Sequence, residues 1–139
     1  MSETDRLVER YVNLWIEPDA RIRRETVREL WADDGAHVLL DPPREIREAA
    51  NGLGFRDPTF ELRGHDALAA RVTRSYEQFI APGQFSFRSR KNAVRLGDVL
   101  TFNWEMIPRD GGAVVGVGQE ILILNPEGRI RVDYQLIVS

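Results

Sequence analysis

The feature that most constrains this chain is a change of hydrophobic period at Pro82-Gly83. Before that point apolar residues recur at helical spacing, and after it they recur at every second position. Leu7, Tyr11 and Trp15 stand at i, i+4 and i+8, with Val8, Val12 and Leu14 beside them. This spacing predicts an amphipathic helix over 4–17, behind Ser2 or Thr4 as caps and ended by Pro18. A second helix is expected over 21–31, with Val27, Leu30 and Trp31 on one side and a charged, solvated run from Arg21 to Glu29 on the other. Asp33-Asp34-Gly35 breaks that helix, and Ala36–Leu40 is short and apolar enough for a strand. A third helix is expected from Gly64-His65-Asp66, presenting Leu68, Val72, Tyr76, Phe79 and Ile80 on one face. Between them, residues 41–62 hold Pro42, Pro43, Gly52, Gly54 and Pro58 and show no sustained period outside a helical turn around 44–50. They read as a long loop over something, more mobile than the rest. Beyond Pro82, Phe85/Phe87, Val94/Leu96 and Phe102/Trp104/Met106 alternate with polar residues. Leu96-Gly97-Asp98 and Arg109-Asp110-Gly111-Gly112 sit between these runs as hairpin turns, and the last strands, about 113–124 and 128–138, flank Asn125-Pro126-Glu127-Gly128. Helices followed by an antiparallel meander make the class α+β, not a parallel α/β sheet.

The chain has 139 residues, which fits a single domain spanning 1–139. Nineteen Lys+Arg against 22 Asp+Glu leave a net charge of -3, so there is no basic field for a nucleic-acid backbone and no nucleic-acid partner is expected. The absence of cysteine excludes disulfides, thiolate catalysis and Cys-ligated metal sites. No apolar run has the length of a membrane span, and the opening Met1-Ser-Glu-Thr-Asp-Arg has no signal-like apolar stretch, so no membrane association and a cytoplasmic location are expected.

Three helices, a short strand after the second, and then four long antiparallel strands resemble the nuclear transport factor 2-like superfamily, which includes the SnoaL-like proteins. Trp31-Ala-Asp-Asp-Gly-Ala-His-Val-Leu-Leu-Asp41-Pro42 is similar to the family's exit from the second helix into its first strand, and Arg63-Gly-His-Asp-Ala-Leu to its entry into the third. Gly118-Gln-Glu-Ile-Leu-Ile-Leu-Asn-Pro-Glu-Gly128-Arg-Ile resembles its closing hairpin. The resemblance covers essentially the full chain and implies a cone in which three N-terminal helices pack on a curved, mostly antiparallel sheet around a central pocket. It constrains activity far less, because the fold carries isomerases, dehydratases, cyclases, epoxide hydrolases and proteins without chemistry.

The site pattern resembles that of ketosteroid isomerase. In that enzyme a Tyr of the first helix, an Asp before a Pro at the end of the first strand, and a carboxylic acid eight residues before the closing-hairpin Gly surround one apolar pocket. The matching positions here are Tyr11, Asp41 before Pro42, and Glu120 eight residues before Gly128, one methylene longer than the Asp of the family. The resemblance implies Asp41 as catalytic base and Tyr11 with a protonated Glu120 as oxyanion donors, a carboxylic acid being kept neutral by its apolar site as in that enzyme. Each has a plain structural alternative: a turn residue before Pro42-Pro43 for Asp41, and a core aromatic for Tyr11. Alternation puts Glu120 with Leu122 and Leu124, and Gln119 with Ile121 and Ile123, without choosing the concave face. The family spacing favours Glu120. His37 shares parity with Leu39 and Asp41, which aims it at the same cavity or leaves it a satisfied strand histidine. Trp15, Phe79, Trp104 and Tyr134 are candidate ligand-binding aromatics, Trp104 and Tyr134 foremost because each alternates with polar neighbours. Gly116-Val-Gly118 reads as a bulge or as room for a ligand, not as a phosphate loop. Two histidines without ligand spacing predict no metal site, and no motif calls for a cofactor.

The expected function is therefore a SnoaL-like enzyme of the isomerase, cyclase or dehydratase type, performing cofactor-free acid/base chemistry on an apolar carbonyl ligand. The alternative is a non-catalytic small-molecule binding or dimeric interaction module. Residues 42–62 are expected to cover the pocket mouth. Ile121 and Ile123 on the face opposite Leu122 and Leu124 leave the sheet apolar on both sides, which predicts a homodimer packed through its outer face.

Overall fold

The computed structural model of the protein describes residues 2–40, 48 and 60–138. Helix α1 (Glu3–Ile16) starts at Ser2, whose hydroxyl accepts from the Asp5 amide at 3.1 Å, and buries Val8, Tyr11, Val12, Leu14 and Trp15. Helix α2 (Ala20–Leu30) starts at Asp19, whose carboxylate accepts from the Arg21 and Ile22 amides and so satisfies two of the free donors of the first turn. Trp31 is not the last residue of that helix. It begins strand β1 (Trp31–Leu40), which bulges across Asp33-Asp34-Gly35 before Ala36–Leu40 resumes regular pairing.

Phe60–Arg63, expected as the end of a loop, is strand β2, paired antiparallel with β1 from Ala36↔Arg63 to Leu39↔Phe60. Four residues of Phe-Glu-Leu-Arg are too short for their alternation to stand out among the prolines and glycines before them. The rest of the expected mouth cover, residues 41–47 and 49–59, lies outside the described residues. Helix α3 (His65–Ser75) follows Gly64 at φ +91 and runs into a π-helical turn, Tyr76–Ile80. The ring of His65 is tied to the Trp31 carbonyl, with Nε2 at 2.9 Å from the oxygen, pinning the start of α3 to the start of β1.

The remaining strands are β3 (Phe85–Ser89), β4 (Val94–Leu96), β5 (Val99–Pro108), β6 (Gly116–Leu124) and β7 (Ile130–Ile137). Their order in one mixed sheet is β2-β1-β7-β6-β5-β3, with β4 also paired to β5. Every pairing is antiparallel except β1 with β7. The sheet is not closed, and its concave face takes the three helices. Tyr11, Trp15, Leu30, Trp31, Leu68, Val72, Leu100, Phe102, Leu122 and Ile130 form the core between them. Among the described residues no helix is long and apolar enough to cross a membrane.

One irregularity decides what the concave face carries. Leu124 pairs with Ile130 and Ile123 with Val132, so Arg131 is an extra residue, a β-bulge in β7. Simple alternation from the buried Ile130 would send Val132 and Tyr134 inward. The extra residue reverses that parity, and Asp133 and Gln135 turn inward beside Leu122 and Glu120.

Candidate functional site

The concave face, α1 and α3 enclose a cavity of about 240 Å³. Its walls are mainly apolar: Val12, Trp15, Leu39, Phe79, Phe87, Trp104, Met106 and Val117. Phe79, Phe87 and Trp104 stand edge to face in a row, with ring centroids 6.2 and 5.3 Å apart. The polar groups on the lining are Tyr11, Arg71, Ser75, Glu120 and Gln135.

These groups belong to a buried network. Tyr11, His37, Glu120 and Asp133 are each no more than 1% exposed. The Tyr11 hydroxyl donates to Asp133 Oδ2 at 2.5 Å, and its ring is held by Trp15, Trp31 and Phe102. Glu120 Oε1 accepts two hydrogen bonds, from Trp104 Nε1 at 2.8 Å and from Gln135 Nε2 at 2.5 Å. Trp104 reaches it because its cross-strand partner is Gly118. A Cβ at that position would lie 2.1 Å from Trp104 Cζ2. The glycine therefore makes room for the protein's own indole, not for a ligand or a bulge.

Electrostatics divides the two carboxyls. Burial, then the neighbouring charge of Asp133, holds the Glu120 carboxyl well above the usual glutamate range. Glu120 therefore holds its proton to higher pH than an ordinary glutamate. Tyr11 is also pushed up, by burial first and then by Asp133 and Glu120, so it keeps its proton. Burial lowers His37 to about 4 despite the attraction of Asp133, whose Oδ2 is 3.8 Å from His37 Nε2, and the Arg71 charge acts in the same direction as burial. His37 is neutral at physiological pH.

His37, Glu120 and Asp133 each bring one ligand atom within 4.8 Å of the others, a grouping that sequence spacing did not reveal. Among the described residues they are the set able to hold a metal. Asp133 Oδ2 accepts from Tyr11, while Asp133 Oδ1, Glu120 Oε2 and both ring nitrogens of His37 are buried with no hydrogen-bond partner among the described residues.

Of the residues expected at the site, Tyr11, Glu120, Trp15, Phe79 and Trp104 border the same cavity. Glu120, not Gln119, faces inward; Gln119 turns away and donates to Thr101 Oγ1 at 3.2 Å. Tyr134 does not line the cavity, because the bulge at Arg131 sets it on the outer face against Ile121 and Val38. His37 does not line it either, being packed against Trp15 at 5.8 Å and turned to Asp133. Asp41 lies outside the described residues. Asp133, Gln135 and Arg71 join the site without having been expected there. The outward-facing Ile121 and Ile123 were the available signal for the first two, since apolar outer residues on β6 call for apolar neighbours on β7, which are Tyr134 and Val132.

Comparison with family models and with curated proteins finds no match for the sequence. Solved structures do match. A candidate isomerase of the SnoaL-like family from Agrobacterium tumefaciens superposes with a TM-score of 0.77 at 22% identity, covering 100% of both chains. The chain has the fold of the SnoaL-like proteins. A SnoaL-like protein of unknown function from Burkholderia thailandensis gives a TM-score of 0.62 at 13% identity over 100% of this chain and 99% of its own. A nuclear transport factor 2-like protein of unknown function from an Exiguobacterium species gives 0.63 at 20% identity over 96% and 98%. Identities this low carry the SnoaL-like architecture and leave chemistry to the site itself.

Proposed function

We propose that the protein is a small-molecule enzyme of the isomerase, cyclase or dehydratase type that polarises a carbonyl group by hydrogen bonding and moves a proton without a cofactor. The observation that carries this reading is the buried Glu120 carboxyl, raised above the usual glutamate range, lining an apolar cavity together with Tyr11. A protonated carboxyl can donate to the oxygen of a developing enolate, where a low-dielectric surrounding strengthens the bond, and the Tyr11 hydroxyl joins it only by turning its single proton from Asp133 to the ligand. Asp133 orients the Tyr11 hydroxyl, and Trp104 and Gln135 orient Glu120 through Oε1, leaving Oε2 for the proton. Asp41 is carried as the base on the resemblance to ketosteroid isomerase alone. The SnoaL-like protein of Agrobacterium tumefaciens, described as a candidate isomerase, adds weight by analogy of fold.

The test is exchange of carbonyl α-protons in heavy water, followed by proton NMR with a panel of one- and two-ring ketones. Exchange faster than in buffer, abolished in Asp41→Asn and reduced in Glu120→Gln, supports catalysis. A compound that binds in the cavity with exchange no faster than in buffer points instead to the binding module. That second reading has its own support in the satisfied Tyr11–Asp133 and Glu120–Gln135 pairs, which a binding protein would need equally.

A further inference from the structure

Arg71 is a cation on the wall of the cavity. It sits on α3 in the inward series Leu68, Arg71, Val72, Ser75, where helical spacing calls for apolar or small residues. Its side chain borders the cavity, its guanidinium carbon lies 5.9 Å from the Trp15 ring centroid, and its Nε is sealed from solvent. Among the described residues it makes no hydrogen bond and no ion pair. The fold treats its other inward arginine differently. Arg23 is 4% exposed, but it donates to the Glu17 carbonyl at 2.7 Å and to Thr73 Oγ1 at 3.3 Å, and it lies over the Tyr76 ring at 4.6 Å. Arg23 is a satisfied structural residue, whereas Arg71 is a planar fork of donors held beside an open apolar space.

A desolvated guanidinium is costly unless an acceptor meets it, and the geometry it suits best is a carboxylate taken by two parallel N–H bonds. No carboxylate of the network supplies that. Asp133 Oδ2 accepts from Tyr11 and Glu120 Oε1 from Trp104 and Gln135, and although both acids attract the Arg71 charge, neither comes within hydrogen-bonding or ion-pairing distance of it. At about 240 Å³ the cavity falls below the usual range for drug-sized ligands, so it suits a one- or two-ring molecule and not a steroid nucleus. We propose that the cavity takes a small cyclic organic acid, its carboxylate paired with Arg71 and its ring against Phe79, Phe87 and Trp104. This rests on the cavity being the ligand site of the function proposed above, but it requires no turnover.

The experiment measures binding of benzoate and 2-naphthoate, each against its neutral primary amide, to the whole protein by calorimetry and tryptophan fluorescence. For at least one pair the acid should bind ten-fold or more tighter than the amide, with the preference falling as salt rises. Arg71→Gln should bring the acid down to the affinity of the amide and leave the amide unchanged. Arg71→Lys, which keeps the charge but loses the fork, should retain part of the preference. Amides that bind as tightly as the acids to the unaltered protein overturn the carboxylate assignment and leave the cavity as a ligand site. Failure of all four compounds to bind at millimolar concentration overturns that as well. The acid-to-amide ratio in the unaltered protein decides the matter even if an Arg71 variant does not fold.

Discussion

Replacing Gly118 by alanine isolates the device that brings Trp104 to Glu120. The added Cβ would stand 2.1, 2.2 and 2.7 Å from Trp104 Cζ2, Cε2 and Nε1, far inside van der Waals contact, so the indole must move. Moving it breaks the 2.8 Å bond from Nε1 to Glu120 Oε1. Overpacking of this kind costs about 1–3 kcal/mol. Loss of a hydrogen bond to a buried group adds about 1–3 kcal/mol. Against these stands the gain of about 0.4–1 kcal/mol from stiffening the unfolded chain. The costs win, and a net loss of about 3 kcal/mol is expected in urea unfolding followed by circular dichroism. A double-mutant cycle makes the reasoning specific: in a Trp104→Ala background the same Gly118→Ala change should be neutral or slightly stabilising. Equal cost in both backgrounds, or less than about 0.5 kcal/mol in the unaltered protein, would refute the account of Gly118.

Other consequences follow from the same network. Because His37 is lowered to about 4 in the folded protein from an ordinary 6.5, the unfolded chain binds the proton first on acidification. Stability should therefore fall between about pH 6.5 and 4, by about 3 kcal/mol in total, and His37→Asn should remove that component from a series of urea titrations. Glu120 has the opposite sign: its raised value makes folding less favourable as pH climbs above 4.5, so Glu120→Gln should flatten stability on the alkaline side. Tyr11→Phe leaves Asp133 Oδ2 buried without its donor and should cost about 1–3 kcal/mol, less in an Asp133→Asn background where no full charge is stranded. The outer face, where Ile121, Ile123, Val132 and Tyr134 are half-buried cross-strand neighbours, is proposed as the interface of a homodimer. Sedimentation at micromolar protein should give the dimer, and a charge placed by Ile121→Asp should give the monomer.

The change of period at Pro82-Gly83 made the order of helices and strands legible, because a helix face and a strand face leave different spacings in any sequence. Tyr11 and Glu120 were reached through the resemblance to ketosteroid isomerase, and both line the cavity. Asp133 and Gln135 were not, because a β-bulge reverses parity without leaving a residue type that marks it, and Ile130-Arg-Val-Asp-Tyr-Gln-Leu136 alternates in favour of the wrong face. The parallel pairing of β1 with β7 joins segments almost a hundred residues apart, which no local pattern reports. Arg71 was hidden for a related reason. A charged residue among apolar helix positions reads as part of a solvated edge until the cavity behind it is visible.

The central claim is that burial raises the Glu120 carboxyl well above the ordinary glutamate range. Carbon-13 NMR of the side-chain carboxyls, assigned by loss of the Glu120 signal in Glu120→Gln, tests it directly. The account predicts that this carboxyl keeps the chemical shift of a protonated acid well above pH 4.5, the ordinary glutamate value. A Glu120 carbon that titrates at or below that ordinary value of 4.5 would contradict it.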